Sequence, residues 1–251
     1  MEAYADQLIA TLLLSLRIAP TLTFAPPFTL LRTPALVRVC LSIALAAWMT
    51  TLAPAGAYAR LSEPQVFAPA FATELLLGIV LAIALQLAYA AILTAGRVID
   101  FQVGFGLALI ADPTLRTQMP LTGTLFAYAA GAIFFTTSGP SDLLAIWAQS
   151  AERFPIGEFA LAPDLSRLLG YIATIFVMSM GLGGVVLLTL FLTDLAVAFM
   201  SRTLPQMNVL VLGFQVKTLA LLATLPIALS VSGALFLRIV RTALDATPLL
   251  L

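Results

Sequence analysis

The sequence predicts an all-α integral membrane protein, and three observations carry that prediction. Of 251 residues, 61% are apolar and 10% charged, and the mean hydropathy is +1.08. Soluble domains run near ~45–50% apolar and ~25% charged, so a soluble globule and a disordered chain are both excluded. The apolar residues come in long continuous runs, without the period-two alternation of the ~10-residue strands of a membrane barrel. At roughly 20 apolar residues per crossing helix, there is room for about six spans and no sizeable extramembrane domain. Residues 1–251 therefore read as a single membrane domain.

The runs fall at Leu8 to Phe28, Val37 to Ala53, Phe67 to Ala95, Leu121 to Phe135, Tyr171 to Met200 and Val209 to Val240. Before the first run stand Glu2 and Asp6, acidic where a signal peptide is basic, and no clear cleavage site follows. The N-terminus is read as retained sequence. The breaks between runs have the residues of helix ends: Arg32-Thr33-Pro34, Pro54-Ala55-Gly56, Ser138-Gly139-Pro140 and Glu152-Arg153-Phe154-Pro155. The first run contains Arg17, Pro20 and Pro26-Pro27, so its helix is expected to kink or end early. The fifth and sixth are longer than one crossing needs and are expected to tilt, break or project beyond the bilayer.

Charge and residue type narrow the chemistry. There is no histidine and one cysteine, Cys40, which removes the common metal clusters, disulfides and histidine-based nucleophile systems. Twelve basic residues balance twelve acidic ones, and Lys217 is the only lysine. That leaves no basic surface for nucleic acid and no polybasic lipid anchor. Counting arginines near the ends of the runs gives a tie. Arg32, Arg38, Arg97, Arg116 and Arg202 lie on one side and Arg60, Arg153, Arg167, Arg238 and Arg241 on the other, so orientation stays open.

Charges within apolar runs cost about 2.5–3.5 kcal/mol on insertion scales, so each needs a reason. Arg17, Glu74, Asp194 and Lys217 qualify, with Arg97 and Asp100 at the end of the third run. An ion pathway competes with structural pairing or contact to a partner subunit. The second is preferred, because the charges stand singly along the chain instead of stacking on one helix face. The glycines of Gly181-Leu182-Gly183-Gly184 read as helix packing.

Two segments are less lipid-like than the rest. Gly96 to Pro113 carries Gln102, Gly104, Gly106, Leu107, Ile110, Asp112 and Pro113. Gly104-Phe105-Gly106 follows a helix and lacks a third glycine, so it is not a phosphate loop. A glycine-bounded apolar segment can insert into a protein-lined cavity as irregular backbone, and apolar constrictions close pores by excluding water. Pro205 to Lys217 places Pro205, Gln206, Asn208, Gly213, Phe214 and Lys217 beside an aliphatic run.

In this order, the two segments resemble the FliR family of flagellar export-apparatus proteins. The first matches a Gly-x-x-Ile-x-x-Gln-x-Gly pattern followed by Asp-Pro, through Gly96, Ile99, Gln102, Gly104 and Asp112-Pro113. The second matches Pro-Gln-x-Asn followed by Gly-Phe, through Pro205-Gln206, Asn208 and Gly213-Phe214, with Gln215 where the family usually has proline. Phe154-Pro155-Ile156-Gly157 has the spacing of a central-loop motif, and the likeness extends over nearly the whole chain.

The resemblance implies a channel subunit of the flagellar type III export gate in the bacterial inner membrane, part of the basal body. It implies no enzyme activity and no cofactor. Its implied partners are FliP-like, FliQ-like and FlhB-like subunits and unfolded exported flagellar proteins. It also implies a FliP-like part, 1–170, containing a plug loop at about 96–120, and a FliQ-like helical hairpin, 171–251. The plug would be Gly104 to Asp112, with Leu107 and Ile110 facing the lumen. A homologous injectisome subunit is the nearest alternative. A six-helix solute or ion transporter is the alternative of a different class, although the two halves of the chain show no repeat.

Overall fold

The computed structural model describes residues 2–31, 33–52, 61, 63–105, 120–158, 165–203 and 208–246. Among these residues the elements are all helices: α1 (Glu2–Phe24), α2 (Ala35–Leu52), α3 (Pro64–Val103), α4 (Leu121–Thr136), α5 (Gly139–Arg153), α6 (Leu165–Thr203), α7 (Val209–Val231) and α8 (Gly233–Ala246). An all-α, mostly apolar multi-helix protein results.

Among the described residues, four helical segments suit a membrane crossing by length and composition: Ala5–Phe24, Gln65–Val103, Ser166–Thr203 and Val211–Val231. The pair α4 and α5, bent by 73° at its break, raises the number to five if it counts as one span. The six apolar runs therefore do not translate into six spans. The run at α2 is short, and the sixth run breaks at Ser232 into α7 and an α8 that carries Arg238, Arg241 and Asp245. Helix α5 was not among the apolar runs, because Ser141, Asp142, Gln149 and Glu152 interrupt its hydrophobicity.

The first run ends its helix early, as expected, but at Pro26-Pro27 and not at Pro20. Helix α1 continues through Pro20 and ends at Phe24, just before Pro26-Pro27. Proline removes the donor that would serve the carbonyl of Leu16. Gly78 of α3 lies against that place: a Cβ there would stand 2.6 Å from the Leu16 carbonyl oxygen and 2.7 Å from that of Arg17. Close backbone approach is thus built around the proline. At the C-terminus of α1, Arg38 donates to the Thr23 carbonyl at 3.0 Å and Gln86 to the Phe24 carbonyl at 3.0 Å. Those carbonyls would otherwise lack partners.

The fifth run is a single unbroken helix, α6, of 39 residues, and α3 has 40. At ~1.5 Å per residue each is about 60 Å long, roughly twice the ~30 Å hydrocarbon core. Both must tilt strongly or project beyond the bilayer.

The chain divides into two compact units. The first comprises Met1–Ala88, Ile133–Ile172 and Val240–Leu251. In it α1 buries Ala10, Leu13, Leu14, Arg17, Ile18 and Thr21, the spacing of one helix face. Leu77, Leu81 and Leu85 of α3, Phe134, and Leu143 and Trp147 of α5 are also buried there. Tyr171 donates to the Ala84 carbonyl at 2.5 Å. The second unit comprises Tyr89–Ala132 and Ala173–Ile239. Its core includes Ile92, Ile99, Phe126, Ile175, Leu182, Val186, Leu190 and Phe236, with the Phe126 and Phe236 rings edge-on at 5.7 Å.

Candidate functional site

The four intramembrane charges, solitary in the sequence, are paired in the fold. In the first unit Arg17 donates through Nε and Nη2 to the two carboxylate oxygens of Glu74, each at 2.7 Å. Both side chains are completely buried. The guanidinium also reaches the Phe154 carbonyl at 2.9 Å and Ser150 Oγ at 3.4 Å. The Gly157 N–H approaches Glu74 Oε1 at 3.4 Å. One bidentate pair therefore ties α1, α3 and α5 to the turn that follows α5. Gly157 has φ +84°, a backbone state that favours glycine, so the turn can aim its N–H at the carboxylate.

In the second unit Lys217 of α7 meets Asp194 of α6, Nζ to Oδ1 2.5 Å. The other carboxylate oxygen accepts from the Gln102 side-chain amide at 3.0 Å, and Lys217 Nζ donates to the Gln102 backbone carbonyl at 3.1 Å. Gln102, Asp194 and Lys217 thus form a closed polar triangle joining α3, α6 and α7. It is less sheltered than the first pair, with 20% of the lysine and 39% of the aspartate side chain exposed.

Immediately beside it, α3 ends in a glycine motif. Gly104 has φ 106°, its N–H bonds the Phe101 carbonyl at 3.1 Å, and the Phe105 N–H bonds the Asp100 carbonyl at 3.0 Å. This is the Schellman arrangement that glycine favours. The Phe105 ring lies edge-on to Phe214 at 6.2 Å. The Asp100 carboxylate accepts from Thr122 Oγ1 at 2.5 Å and from the Thr122 N–H at 3.2 Å. A further close approach sits alongside: a Cβ on Gly96 would overlap the backbone of Gly123.

Asn208 caps α7, its side chain accepting from the Val211 N–H at 3.4 Å. Gly213 faces Val197 at ordinary distance, so a methyl group would fit there. Gly106, Leu107, Ile110, Asp112, Pro113, Pro205 and Gln206 lie outside the described residues. The fold thus gathers Gln102, Asp194 and Lys217, with Phe214 beside Phe105, and separately pairs Arg17 with Glu74. Sequence reading missed Thr122, Ser150 and the Phe154 carbonyl as members of these clusters. Their partners lie between 22 and 137 residues away, and no local pattern marks them.

Among the described residues, no group of three or more His, Cys, Asp or Glu could hold a metal ion. Arg17 with Glu74 and Lys217 with Asp194 neutralise one another and fix helices, and the Asp100 carboxylate is held by Thr122.

Residues 8–243 match the model of the bacterial export proteins, family 1. The flagellar biosynthetic protein FliR of Bacillus subtilis is 28% identical over 239 residues, 92% of this chain and 90% of that protein. FliR of Escherichia coli is 29% identical over 163 residues, 64% of this chain and 60% of that protein. The Yop proteins translocation protein T of Yersinia pestis is 26% identical over 148 residues, 58% of this chain and 57% of that protein. With nearly all of the chain inside one family model and FliR proteins among its relatives, the chain belongs to family 1 of the bacterial export proteins, the FliR family of non-catalytic, multi-pass membrane subunits of type III export.

Proposed function

We propose that the chain is a channel-forming structural subunit of the flagellar type III export gate in the inner membrane, at the flagellar basal body. The observation that carries this reading is the family match over residues 8–243. On this reading it assembles with FliP-like and FliQ-like subunits, contacts an FlhB-like subunit, and lines the route of unfolded flagellar proteins. The 1–170 part is FliP-like and 171–251 is a FliQ-like helical hairpin. Pairing of α6 with α7 through Asp194 and Lys217 supports the hairpin.

The segment Gly104 to Asp112 is the plug, with Leu107 and Ile110 as its lumen-facing side chains. Its described beginning supports this: α3 stops at a glycine cap and the segment leaves from a stem held by hydrogen bonds. The apolar surface on α6 and α7 supports assembly. Val177, Leu188, Phe191, Phe199, Leu219 and Leu222 are all more than half exposed, area available to lipid or to other subunits.

Likeness to the Yersinia translocation protein and to the secretion system apparatus protein SsaT of Salmonella typhimurium favours a second reading, the same role in an injectisome. A solute or ion transporter has less support, because Arg17, Glu74, Asp194 and Lys217 are engaged in two pairs.

Affinity purification of the full chain from a cell producing the neighbouring export proteins tests the proposal. FliP-like and FliQ-like subunits are expected to co-purify. A monomer that moves a solute across vesicles would overturn it.

A further inference from the structure

Helix α2 of the first unit is packed on one side and apolar on the others. From Val39 to Leu52 it carries no charge and no glycine. Ser42, Ala46, Met49 and Thr50 are buried, the spacing of a single stripe. That stripe lies along α1: the Thr11 and Thr50 hydroxyls meet at 3.2 Å, and Arg38 donates to the Thr23 carbonyl at 3.0 Å. Away from it Leu36, Val37, Val39, Leu41, Ile43 and Trp48 are all exposed. At ~100° per residue these six cover an arc of about 200°, more than half of the helix.

The width of the arc decides what covers it. A neighbouring helix buries a stripe of about 100°, so one partner helix leaves much of this surface open. Helix–helix contacts in membranes also favour small residues that let backbones approach, and this arc is mostly Leu, Val, Ile and Trp. Nor does α2 need a polar solvent. The hydroxyls of Ser42, Thr50 and Thr51 turn back to carbonyls of their own helix at 2.8, 2.9 and 2.6 Å. Its 18 residues give a length of about 27 Å, close to the ~30 Å hydrocarbon core. The Arg38 head group is drawn toward the N-terminal end by Thr33 Oγ1 and the Leu31 carbonyl, at 3.0 and 3.2 Å, and Trp48 stands near the other end.

We infer that α2 crosses the bilayer once with its exposed arc against lipid acyl chains, and so sets the level of the first unit in the membrane. A helix as long as α3 fits at several levels, whereas α2 fits at one. The level has a consequence for Arg17, which lies midway between Thr11 and Thr23 on α1 and so opposite the middle of α2. The buried Arg17–Glu74 pair then sits near the bilayer centre, where an unpaired charge costs most. The inference needs the membrane assignment and not the flagellar reading.

Cys40 lies within the exposed arc and is the only cysteine of the chain, so a spin label can be placed on the unsubstituted protein. The labelled full chain is placed in phosphatidylcholine–phosphatidylglycerol vesicles, alone and assembled with cysteine-free partner subunits. Its collision rates are measured with oxygen, which concentrates among acyl chains, and with a water-soluble nickel chelate. In both samples the oxygen rate at Cys40 is expected to exceed the nickel rate severalfold. In a Cys40→Ala background, labels at Leu36→Cys, Ile43→Cys and Thr51→Cys are expected to give a ratio highest at Ile43 and lower at both ends.

Low rates with both reagents in the complex would show that a partner covers α2, overturning the lipid contact while supporting the subunit reading. A ratio constant from Leu36 to Thr51 would overturn the crossing, because a helix lying in the interface keeps one depth. A nickel rate above the oxygen rate at Cys40 would overturn both. The chain alone gives these readings even if no partner assembles, so failure of the export-gate reading stays distinct from failure of this one.

Discussion

Arg17 and Glu74 meet as a two-pronged ion pair from which solvent is wholly excluded, 57 residues apart in the chain. Desolvating two charges is expensive, and it is offset here by geometry: both carboxylate oxygens and three guanidinium nitrogens have partners. The pair is therefore expected to contribute more to the specific arrangement of α1, α3 and α5 than to net stability.

Breaking one side of this pair is therefore predicted to cost more than removing both. Glu74→Ala leaves a buried guanidinium and is expected to destabilise the first unit by about 3–5 kcal/mol. The double variant Arg17→Met with Glu74→Leu is expected to lose much less. Thermal unfolding in detergent and protease resistance in membranes measure the difference, and equal losses would refute the argument.

The Asp194–Lys217 pair has a smaller stake because it is partly exposed. Lys217→Met is predicted to cost on the order of 1–2 kcal/mol, between the values for exposed and buried pairs. The exchanged pair Asp194→Lys with Lys217→Asp should recover part of that loss, although the bonds to Gln102 would be rearranged. Unfolding midpoints of the single and exchanged variants provide the comparison.

Two glycines separate packing from mere exposure. Gly96→Ala drives a methyl group onto the Gly123 backbone, whereas nothing lies within 4 Å of a Cβ at Gly184. Gly96→Ala is expected to abolish accumulation of folded chain. Gly184→Ala should leave the isolated chain unchanged, and a loss appearing only when partner subunits are present would locate an interface there. Membrane levels with and without the partners distinguish these outcomes.

Asn208→Ala removes the side-chain cap of α7 and is predicted to cost about 1 kcal/mol or less, given its long bond. Hydrogen exchange at Val211 should rise while exchange at the centre of α7 stays unchanged.

Helical content, membrane class and nearly every helix centre were legible in the sequence, because long apolar runs leave few other solutions. Less legible was whether a proline ends a helix. Pro20 does not end α1, and the backbone it affects is packed closely by Gly78 of a distant helix, which no local rule can see. Helix α5 escaped detection since its amphipathic pattern lacks a continuous apolar run. At the candidate site the individual residues were visible but their pairing was not. Gln102, Asp194 and Lys217 lie in separate runs, and only the fold makes them one cluster. The motifs around Gly96 and Pro205 pointed to the family through their combination, and the family model then covered residues 8–243.

The central claim, that the chain is a channel subunit for flagellar protein export, is tested most directly by deleting its gene and measuring exported hook and filament protein in the culture medium. The account predicts that export stops, that the exported proteins remain inside the cell, and that the wild-type chain supplied in trans restores secretion. Undiminished secretion of flagellar subunits from the deleted strain would contradict it.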